Sequence, residues 1–346
     1  MSFLILEDGT IFRGRSVGAD GIAFGEAVFT TAMSGYQEIV TDPSYAEQLV
    51  CFTAPMIGNY GVDPVRSESD RPHARAVVMR RATGSAWTRW LAAHGVVALD
   101  GVDTRSLVLH LRERGAMRAA AVAGDASPSH VLAQVRAQAP MAGRGLVVGV
   151  STDVPYTLGG SGPRVTVIDY GCKRSILERL LAAGARVKVV PHHAKGAEIL
   201  ADAPHGVVLS NGPGDPAALP AEIEVVSRLL GRVPILGICL GHQLVGLAAG
   251  FRTRKLPFGH RGANHPVLER RSGLVLVTAQ NHGFAVEGEG HEVSHVSLYD
   301  GTVEGLDLPR LGVRSVQFHP EAGPGPHDAR PLIDDWVEEL RLAQAA

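Results

Sequence analysis

The sequence is poor in cysteine and in aromatic residues. Its 346 residues include three cysteines, Cys51, Cys172 and Cys239, and 5% aromatic residues. Three cysteines are too few, and odd in number, for the disulfide framework that stabilises many small secreted proteins. We therefore expect a reducing, cytoplasmic setting in which at least one thiol stays free.

Long apolar runs are also missing. No segment approaches the roughly 18 consecutive apolar residues that a membrane-spanning helix needs. The N-terminal sequence MSFLILEDGT has no basic residue ahead of its short apolar run, so it lacks the pattern of a secretory signal peptide. These absences favour a soluble, intracellular protein without a membrane anchor.

An excess of one charge is missing as well. Lys and Arg total 33, Asp and Glu total 35, and the formal net charge is −2. This balance argues against a basic surface for nucleic acid or for an anionic membrane. A content of 45% hydrophobic and 20% charged residues is that of an ordinary globular protein. At about 100–200 residues per domain, the length predicts two domains.

The clearest boundary in the chain is the segment 158–163, LGGSGP, which combines flexible and helix-breaking residues. It predicts an N-terminal domain over 1–158 and a second domain over 164–346. Before the boundary, short β-like runs are interrupted by Gly and Pro and followed by helix patterns near 87–94, 104–114 and 130–138. The first half is therefore predicted to be a mixed α+β domain.

The second half alternates apolar strands with amphipathic helices. Strands are predicted at 164–169, 186–191, 206–209 and 233–238, and helices at 173–183, 194–200, 221–230 and from about 241. Continuous Val, Ile and Leu strands separated by helices are typical of a parallel sheet covered on both faces. We predict an α/β fold with a doubly wound, mostly parallel sheet, and ligands at the carboxyl ends of its strands.

The most informative segment is 233–243, VPILGICLGHQ. An apolar strand runs into Cys239 between Gly237 and Gly241, and a helix follows. This order resembles the nucleophile elbow, in which small neighbours allow a tight turn that presents one side chain above the sheet. A helix N-terminus behind the sulfur favours the thiolate. The alternative is a buried structural cysteine, as most free cysteines are.

A thiolate nucleophile usually needs a histidine that moves protons and a third group that orients the histidine. The segment 313–321, VRSVQFHPE, offers His319 and Glu321 at the end of a predicted strand. In an extended segment, residues two apart point the same way. His319 and Glu321 are therefore predicted to touch, although on their own they would be read as a surface pair.

Two polar loops follow strands in the same half. In SNGPGDP, residues 210–216, backbone amides can face a substrate and, with the amide of Leu240, form a two-donor oxyanion hole. A plain surface turn is the alternative for this loop. The segment 280–284, QNHGF, is predicted to be a second polar loop after the strand 274–278.

Other tempting patterns are weaker. The string HEVSH at 291–295 matches a zinc-protease motif that works only on a helix, but its surroundings are typical of a strand. His192 and His193 are predicted to lie in a solvated loop, and His242 to pack or donate a hydrogen bond rather than act as a second base. No Walker A string occurs, and no Gly-x-Gly-x-x-Gly follows a strand. We predict no metal site and no nucleotide site in this chain.

These motifs resemble those of a known family. GICLGHQ at 237–243, NGPGD at 211–215 and HPE at 319–321 are similar to the class I, or triad, glutamine amidotransferases. The likeness extends over the whole chain to the small, glutamine-hydrolysing subunit of carbamoyl phosphate synthetase. It rests on LEDGT at 6–10, GYQEI at 35–39, TDPSY at 41–45, IGNY at 57–60, DTR at 103–105, QNHGFA at 280–285 and HPEAGPGPHD at 319–328.

The resemblance implies a role for each matching residue. Cys239 would attack the γ-amide carbon of glutamine, His319 would protonate the departing ammonia and then activate water, and Glu321 would orient His319. The amides of Leu240 and Gly212 would hold the oxyanion. The implied contacts to glutamine are Ser44, Gly214, Gln243, Asn281, Gly283 and Phe284. Because Ser44 comes from the N-terminal half, the resemblance also implies a site at the domain interface.

The resemblance further implies a partner, since ammonia released by an isolated glutaminase would be lost to solvent. The partner would be a large synthetase subunit that binds ATP and Mg, uses bicarbonate and receives ammonia through a tunnel. Its product, carbamoyl phosphate, would serve arginine or pyrimidine biosynthesis. Two alternatives remain open: a catalytically silent regulatory or scaffold homologue, and a glutaminase that serves another synthetase.

Overall fold

A computed structural model of the chain describes residues 2–345 and divides them into two compact units. The first unit ends at Ala142 and also includes Pro257–Gly262, whereas the second comprises Gly143–Leu256 and the chain from Ala263 onward. In the described part of the chain, no helix is long and apolar enough to cross a bilayer.

The first unit is built on a sheet whose strand order is β2-β1-β8-β4-β5-β6-β7-β3. Strands β4 to β7 run parallel, and the remaining neighbours pair antiparallel. The strands are β1 (Phe3–Leu6), β2 (Ile11–Arg13), β3 (Arg15–Ser16), β4 (Gly21–Thr30), β5 (Gln48–Phe52), β6 (Ala76–Val78), β7 (Val97–Asp100) and β8 (Met117–Ala123). The helices are α1 (Tyr36–Thr41), α2 (Ser85–Ala93), α3 (Thr104–Arg114) and α4 (Pro128–Ala137).

The second unit contains a sheet of order β15-β14-β16-β17-β18-β13-β12-β10-β11-β9. Its strands are β9 (Tyr156–Leu158), β10 (Arg164–Asp169), β11 (Arg186–Pro191), β12 (Gly206–Leu209), β13 (Ile235–Ile238), β14 (Arg252–Glu269), β15 (Val275–Glu287), β16 (Val293–Ser297), β17 (Val303–Leu308) and β18 (Val313–Val316). Its helices are α5 (Arg174–Ala182), α6 (Gly196–Ala201), α7 (Pro220–Leu229), α8 (Leu240–Ala248) and α9 (Pro331–Ala345).

The centre of this second sheet is parallel and covered on both faces. The strands β11, β10, β12, β13 and β18 pair in parallel. Helices α5 and α9 pack on one face, where Leu180 and Trp336 join the core, and α6 to α8 cover the other face through residues such as Ile199 and Leu244. The predicted fold class, a doubly wound and mostly parallel α/β sheet with an N-terminal mixed α+β domain, is confirmed.

The division between the units lies upstream of the predicted boundary at 158–163. Val147 packs in the core of the second unit, and β9 pairs antiparallel with β11 through Leu158 and Val187. The glycine-rich segment itself is hydrogen-bonded, because the amide of Gly162 donates to the carbonyl of Gly184 over 3.2 Å. Residues 143–158 therefore belong to the second unit.

Candidate active site

Cys239 occupies a sharp turn between β13 and α8. Its φ and ψ angles of 55° and −102° are rare for a side chain with a Cβ atom. The turn is held because the amide of Cys239 donates to the carbonyl of Val316 over 2.9 Å. A Cβ atom at Gly241 would collide with the carbonyl of Leu209, and one at Gly237 would lie 2.9 Å from the carbonyl oxygen of Gly241. Both glycines are therefore required by the elbow.

The parallel strands end at one edge of the sheet, and this places His319 beyond β18, the neighbour of β13. Cys239 and His319 expose only 2% and 3% of their surface, and the two side chains are close enough for Cys239 to affect the pKa of His319. Nε2 of His319 has no hydrogen-bond partner among the described residues, and the thiol of Cys239 donates to the carbonyl of Asn281 over 3.6 Å. The cysteine predicted to be the nucleophile thus has a histidine beside it.

His319 and Glu321 are in direct contact, with 2.7 Å between Nδ1 and Oε1. The contact is made in a turn rather than in the extended segment that the sequence predicted. Strand β18 ends at Val316, and the amide of Ala322 closes the turn on the carbonyl of His319 over 3.2 Å. The carboxylate holds Nδ1 of the ring, so Nε2 remains for proton transfer.

A third charge, which sequence reasoning missed, completes this cluster. Nζ of Lys173 lies 2.7 Å from Oε1 of Glu321, and its side chain is as deeply buried as that of His319. Lys173 follows β10 and precedes α5, and its amide donates to Oδ1 of Asn211 over 3.0 Å. Its position beyond the carboxyl end of a parallel strand was the available signal.

The charges set the protonation states. Burial disfavours the charged form of His319, but the adjacent Glu321 carboxylate and the nearby Cys239 raise the pKa of His319 to about 10. Burial would raise the pKa of Glu321, yet Lys173 and His319 lower it to about 2. At neutral pH an imidazolium therefore lies beside the Cys239 thiol, an arrangement that stabilises a thiolate.

The residue that follows Cys239 begins a helix. Leu240 is the first residue of α8, so its amide has no partner within the helix. Gly212 packs against Leu240, since a Cβ atom at Gly212 would lie 2.8 Å from Cδ2 of Leu240. Gly214, in the same loop, has a φ of 95° and forms a bridge with Gly145. A helix-terminal amide beside a nucleophile can stabilise an oxyanion, and a second such amide, from Gly212, stays a prediction.

The segment 280–284 is part of strand β15 rather than the polar loop that the sequence predicted. Within it, the carbonyl of Asn281 accepts from Cys239, and Phe284 is buried, with Nζ of Lys255 5.5 Å from its ring centroid. Gly283 lies between them. The strand continues because Phe284, Ala285 and Val286 provide apolar residues that are buried.

The amide of Gln243 is held by two acceptors. Its Nε2 donates to the carbonyl of Phe284 over 2.8 Å and to Oε1 of Gln317 over 3.0 Å. Gln317 is fully buried and precedes His319 by two residues. This orientation leaves Oε1 of Gln243 as the acceptor for any ligand.

Ser44 lies in the first unit, in the single helical turn Pro43–Tyr45, where its amide donates to Oδ1 of Asp42 over 2.9 Å. The other ten residues predicted for the site, from Gly212 to Glu321, belong to the second unit. The catalytic and substrate-binding roles of all eleven residues stay predictions.

The weaker patterns behave as structural elements. His295 is in strand β16, and His291, just before that strand, is exposed, so the zinc-protease string is not helical. His242 shares a 2.9 Å hydrogen bond with the hydroxyl of Ser315, and burial lowers its pKa to about 3. His192 contacts Glu222 over 2.8 Å.

Two family models match the chain. "Carbamoyl-phosphate synthase small chain, CPSase domain" covers residues 4–121, and "Glutamine amidotransferase class-I" covers residues 166–338. Proteins named carbamoyl phosphate synthase small chain are similar over nearly the full length. The one from Symbiobacterium thermophilum is 48% identical, with 96% of each chain covered. That from Halobacterium salinarum is 47% identical over 96% of this chain and 95% of its own. That from Syntrophotalea carbinolica is 42% identical over 99% of both. Taken with the elbow and its charge cluster, these likenesses show that the chain belongs to the carbamoyl phosphate synthase small chain family.

Proposed function

We propose that this chain hydrolyses L-glutamine and delivers the ammonia to a large, ATP-dependent subunit that makes carbamoyl phosphate from bicarbonate. The observation that carries the proposal is the buried set of Cys239, His319 and Glu321 at one edge of the parallel sheet. Its setting is the cytoplasm, where a reducing environment keeps Cys239 as a free thiol.

The reaction follows from the charges around Cys239. The thiolate attacks the γ-amide carbon of glutamine, and the amides of Leu240 and Gly212 hold the negative oxygen of the tetrahedral intermediate. The protonated His319 gives its proton to the leaving nitrogen, so ammonia departs and a glutamyl thioester remains. The neutral His319 then takes a proton from water, which attacks the thioester and releases glutamate.

Several groups are proposed to bind glutamine rather than react with it. Oε1 of Gln243 is an acceptor whose orientation is fixed by its two hydrogen bonds. The further contacts are Ser44, Gly212, Gly214, Asn281, Gly283 and Phe284. We propose no cofactor for this chain, and we assign ATP and Mg to the large subunit.

Replacement of Cys239 by Ser tests the proposal in the complex with the large subunit. We expect loss of glutamine-dependent synthesis of carbamoyl phosphate, while ammonia-dependent synthesis by the partner continues. Cys172→Ser is the matched control, since Cys172 is a partly buried free cysteine of the same unit. Acid quenching of the wild-type protein with glutamine should reveal a glutamyl adduct on Cys239 by mass spectrometry. Full glutamine-dependent activity in the Ser variant, or no adduct, would favour a catalytically silent scaffold.

A further inference from the structure

A cavity of about 210 Å³ opens at the amino ends of β10 and β11. It lies at the opposite edge of the sheet from Cys239, since the strands that form it are parallel and Arg164 and Arg186 are their first residues. The residues around it are Thr157, Arg164, Val165, Thr166, Arg186, Lys188, Asp202 and Pro204.

The cavity concentrates positive charge. Arg164 pairs directly with Arg186 across the parallel strands, and Thr166 pairs with Lys188. Like charges placed opposite one another on a sheet destabilise it. Asp202 is the one acidic residue of the lining, so the three cations exceed the acids by two.

The cations differ in how they are satisfied. Lys188 forms an ion pair with Asp202, and Nη2 of Arg164 donates to the carbonyl of Ala203 over 2.6 Å. The guanidinium of Arg186 has no hydrogen bond or ion pair with any residue in 2–345. Its five N–H donors are therefore available to a ligand.

An independent observation comes from Thr166. Thr166 lines the cavity although it exposes only 3% of its surface. Among the described residues, none forms a hydrogen bond with its hydroxyl. The hydroxyl is not enclosed by protein atoms, so it opens to the cavity and can donate a hydrogen bond to a ligand oxygen there.

We propose that this cavity binds a phosphoryl group, held by Arg186, Arg164, Lys188 and the hydroxyl of Thr166. A tetrahedral phosphoryl group offers oxygens in several directions and matches donors that approach from two strands, whereas a carboxylate offers two oxygens in one plane. The arginine fork suits such an oxyanion. The inference does not depend on the proposed glutaminase reaction.

The test is equilibrium dialysis of the full chain against radiolabelled inorganic phosphate. We expect saturable binding at one site. Arg186→Gln should weaken binding about tenfold or more, the effect of losing a charge-assisted hydrogen bond, and Thr166→Val about two- to tenfold. Thr166→Ser keeps the hydroxyl that Thr166→Val removes, so it should bind phosphate more tightly than the Val variant. Arg232→Gln is the matched control, since Arg232 is exposed and lies outside the cavity.

A second measurement avoids any dependence on folding of the variants. Phosphate should protect Arg186 of the wild-type protein from modification by phenylglyoxal, as read by mass spectrometry, and should leave Arg232 unprotected. The absence of saturable binding, or wild-type affinity in both Arg186→Gln and Thr166→Val, would overturn the proposal. A nucleoside 5′-monophosphate that binds tenfold more tightly than phosphate would identify a nucleotide as the source of the phosphoryl group, and equal affinity would identify free phosphate.

Discussion

Lys173 and Glu321 form a buried ion pair, with 2.7 Å between Nζ and Oε1 and exposures of 3% and 0% for the two side chains. Glu321 thus serves two cations, because the same oxygen also contacts Nδ1 of His319. A carboxylate shared in this way is fixed from two sides. Lys173 therefore helps to fix the carboxylate that orients the imidazole of His319.

Replacement of Lys173 by Met tests how much the Lys173–Glu321 ion pair contributes to stability. The variant removes one of the two cations beside Glu321 and leaves His319 as its partner, so we expect the free energy of unfolding to fall by about 1.5–3 kcal/mol, the contribution of a hydrogen bond to a charged group. Urea denaturation measures the loss. Lys195→Met is the matched control, since its pair with Glu198 is solvent-exposed and 3.9 Å long and should contribute little. Equal effects of the two variants would contradict the assignment.

The loss of stability at acid pH should depend on Glu321. Its pKa is 4.5 ordinarily and about 2 in the folded protein. A lowered pKa gives a contribution that is complete above pH 4.5 and is lost as pH falls towards 2. The difference in unfolding free energy between wild type and Glu321→Gln should therefore shrink from pH 6 to pH 3. A difference that stays constant over this range would contradict the prediction.

The loss of stability at alkaline pH should depend on His319, whose pKa rises from 6.5 to about 10 on folding. A raised pKa gives a contribution that is complete below pH 6.5 and is lost as pH rises towards 10. Wild type should thus lose its advantage over His319→Asn between pH 7 and 10 in urea titrations. His94→Asn, at an exposed position in the first unit, serves as the control.

Gly241→Ala should disrupt the elbow. The added Cβ atom would meet the carbonyl of Leu209, and such overpacking typically costs about 1–3 kcal/mol. Glutaminase activity should fall by more than the loss of folded protein explains, because the displaced backbone carries the sulfur of Cys239. Gly159→Ala is the control, since no atom lies within 4 Å of a Cβ atom built there. Activity close to wild type in Gly241→Ala would show that the turn tolerates a side chain.

Gln317→Leu should affect substrate binding through Gln243. The variant removes one acceptor of the Gln243 amide, with a cost of about 1–3 kcal/mol for a buried donor left unpaired. We expect a raised KM for glutamine with a smaller change in kcat. Gln317→Glu keeps the acceptor oxygen and should restore much of the affinity. Gln138→Leu, at an exposed position of the first unit, is the control.

The parallel half of the fold could be predicted because its strands are continuous apolar runs. The strand Met117–Ala123 was missed, since its sequence MRAAAVA has the alanine content of a helix. Its tertiary position explains the difference. It lies between β1 and β4, where its alanines are fully buried and no larger side chain is needed to fill the space.

The candidate site was predictable where one segment carries its own signal, as in the elbow around Cys239. The place of Lys173 in the site was not predictable, because its contact with Glu321 joins residues that lie 148 positions apart in the sequence. The prediction of a polar loop at 280–284 was wrong, since residues such as Asn281 and His282 are buried in a strand. Sequence patterns report local structure, and these features depend on tertiary contacts.

The segment Pro257–Gly262 has a consequence for how the chain is made. It completes the first unit, where the amide of Ala116 donates to the carbonyl of Pro257 over 2.7 Å and Phe258 stacks on Phe29 with 5.9 Å between ring centroids. A ribosome that has finished residue 142 has therefore not yet supplied every part of that unit. Its last contacts must wait until more than a hundred further residues have been synthesised.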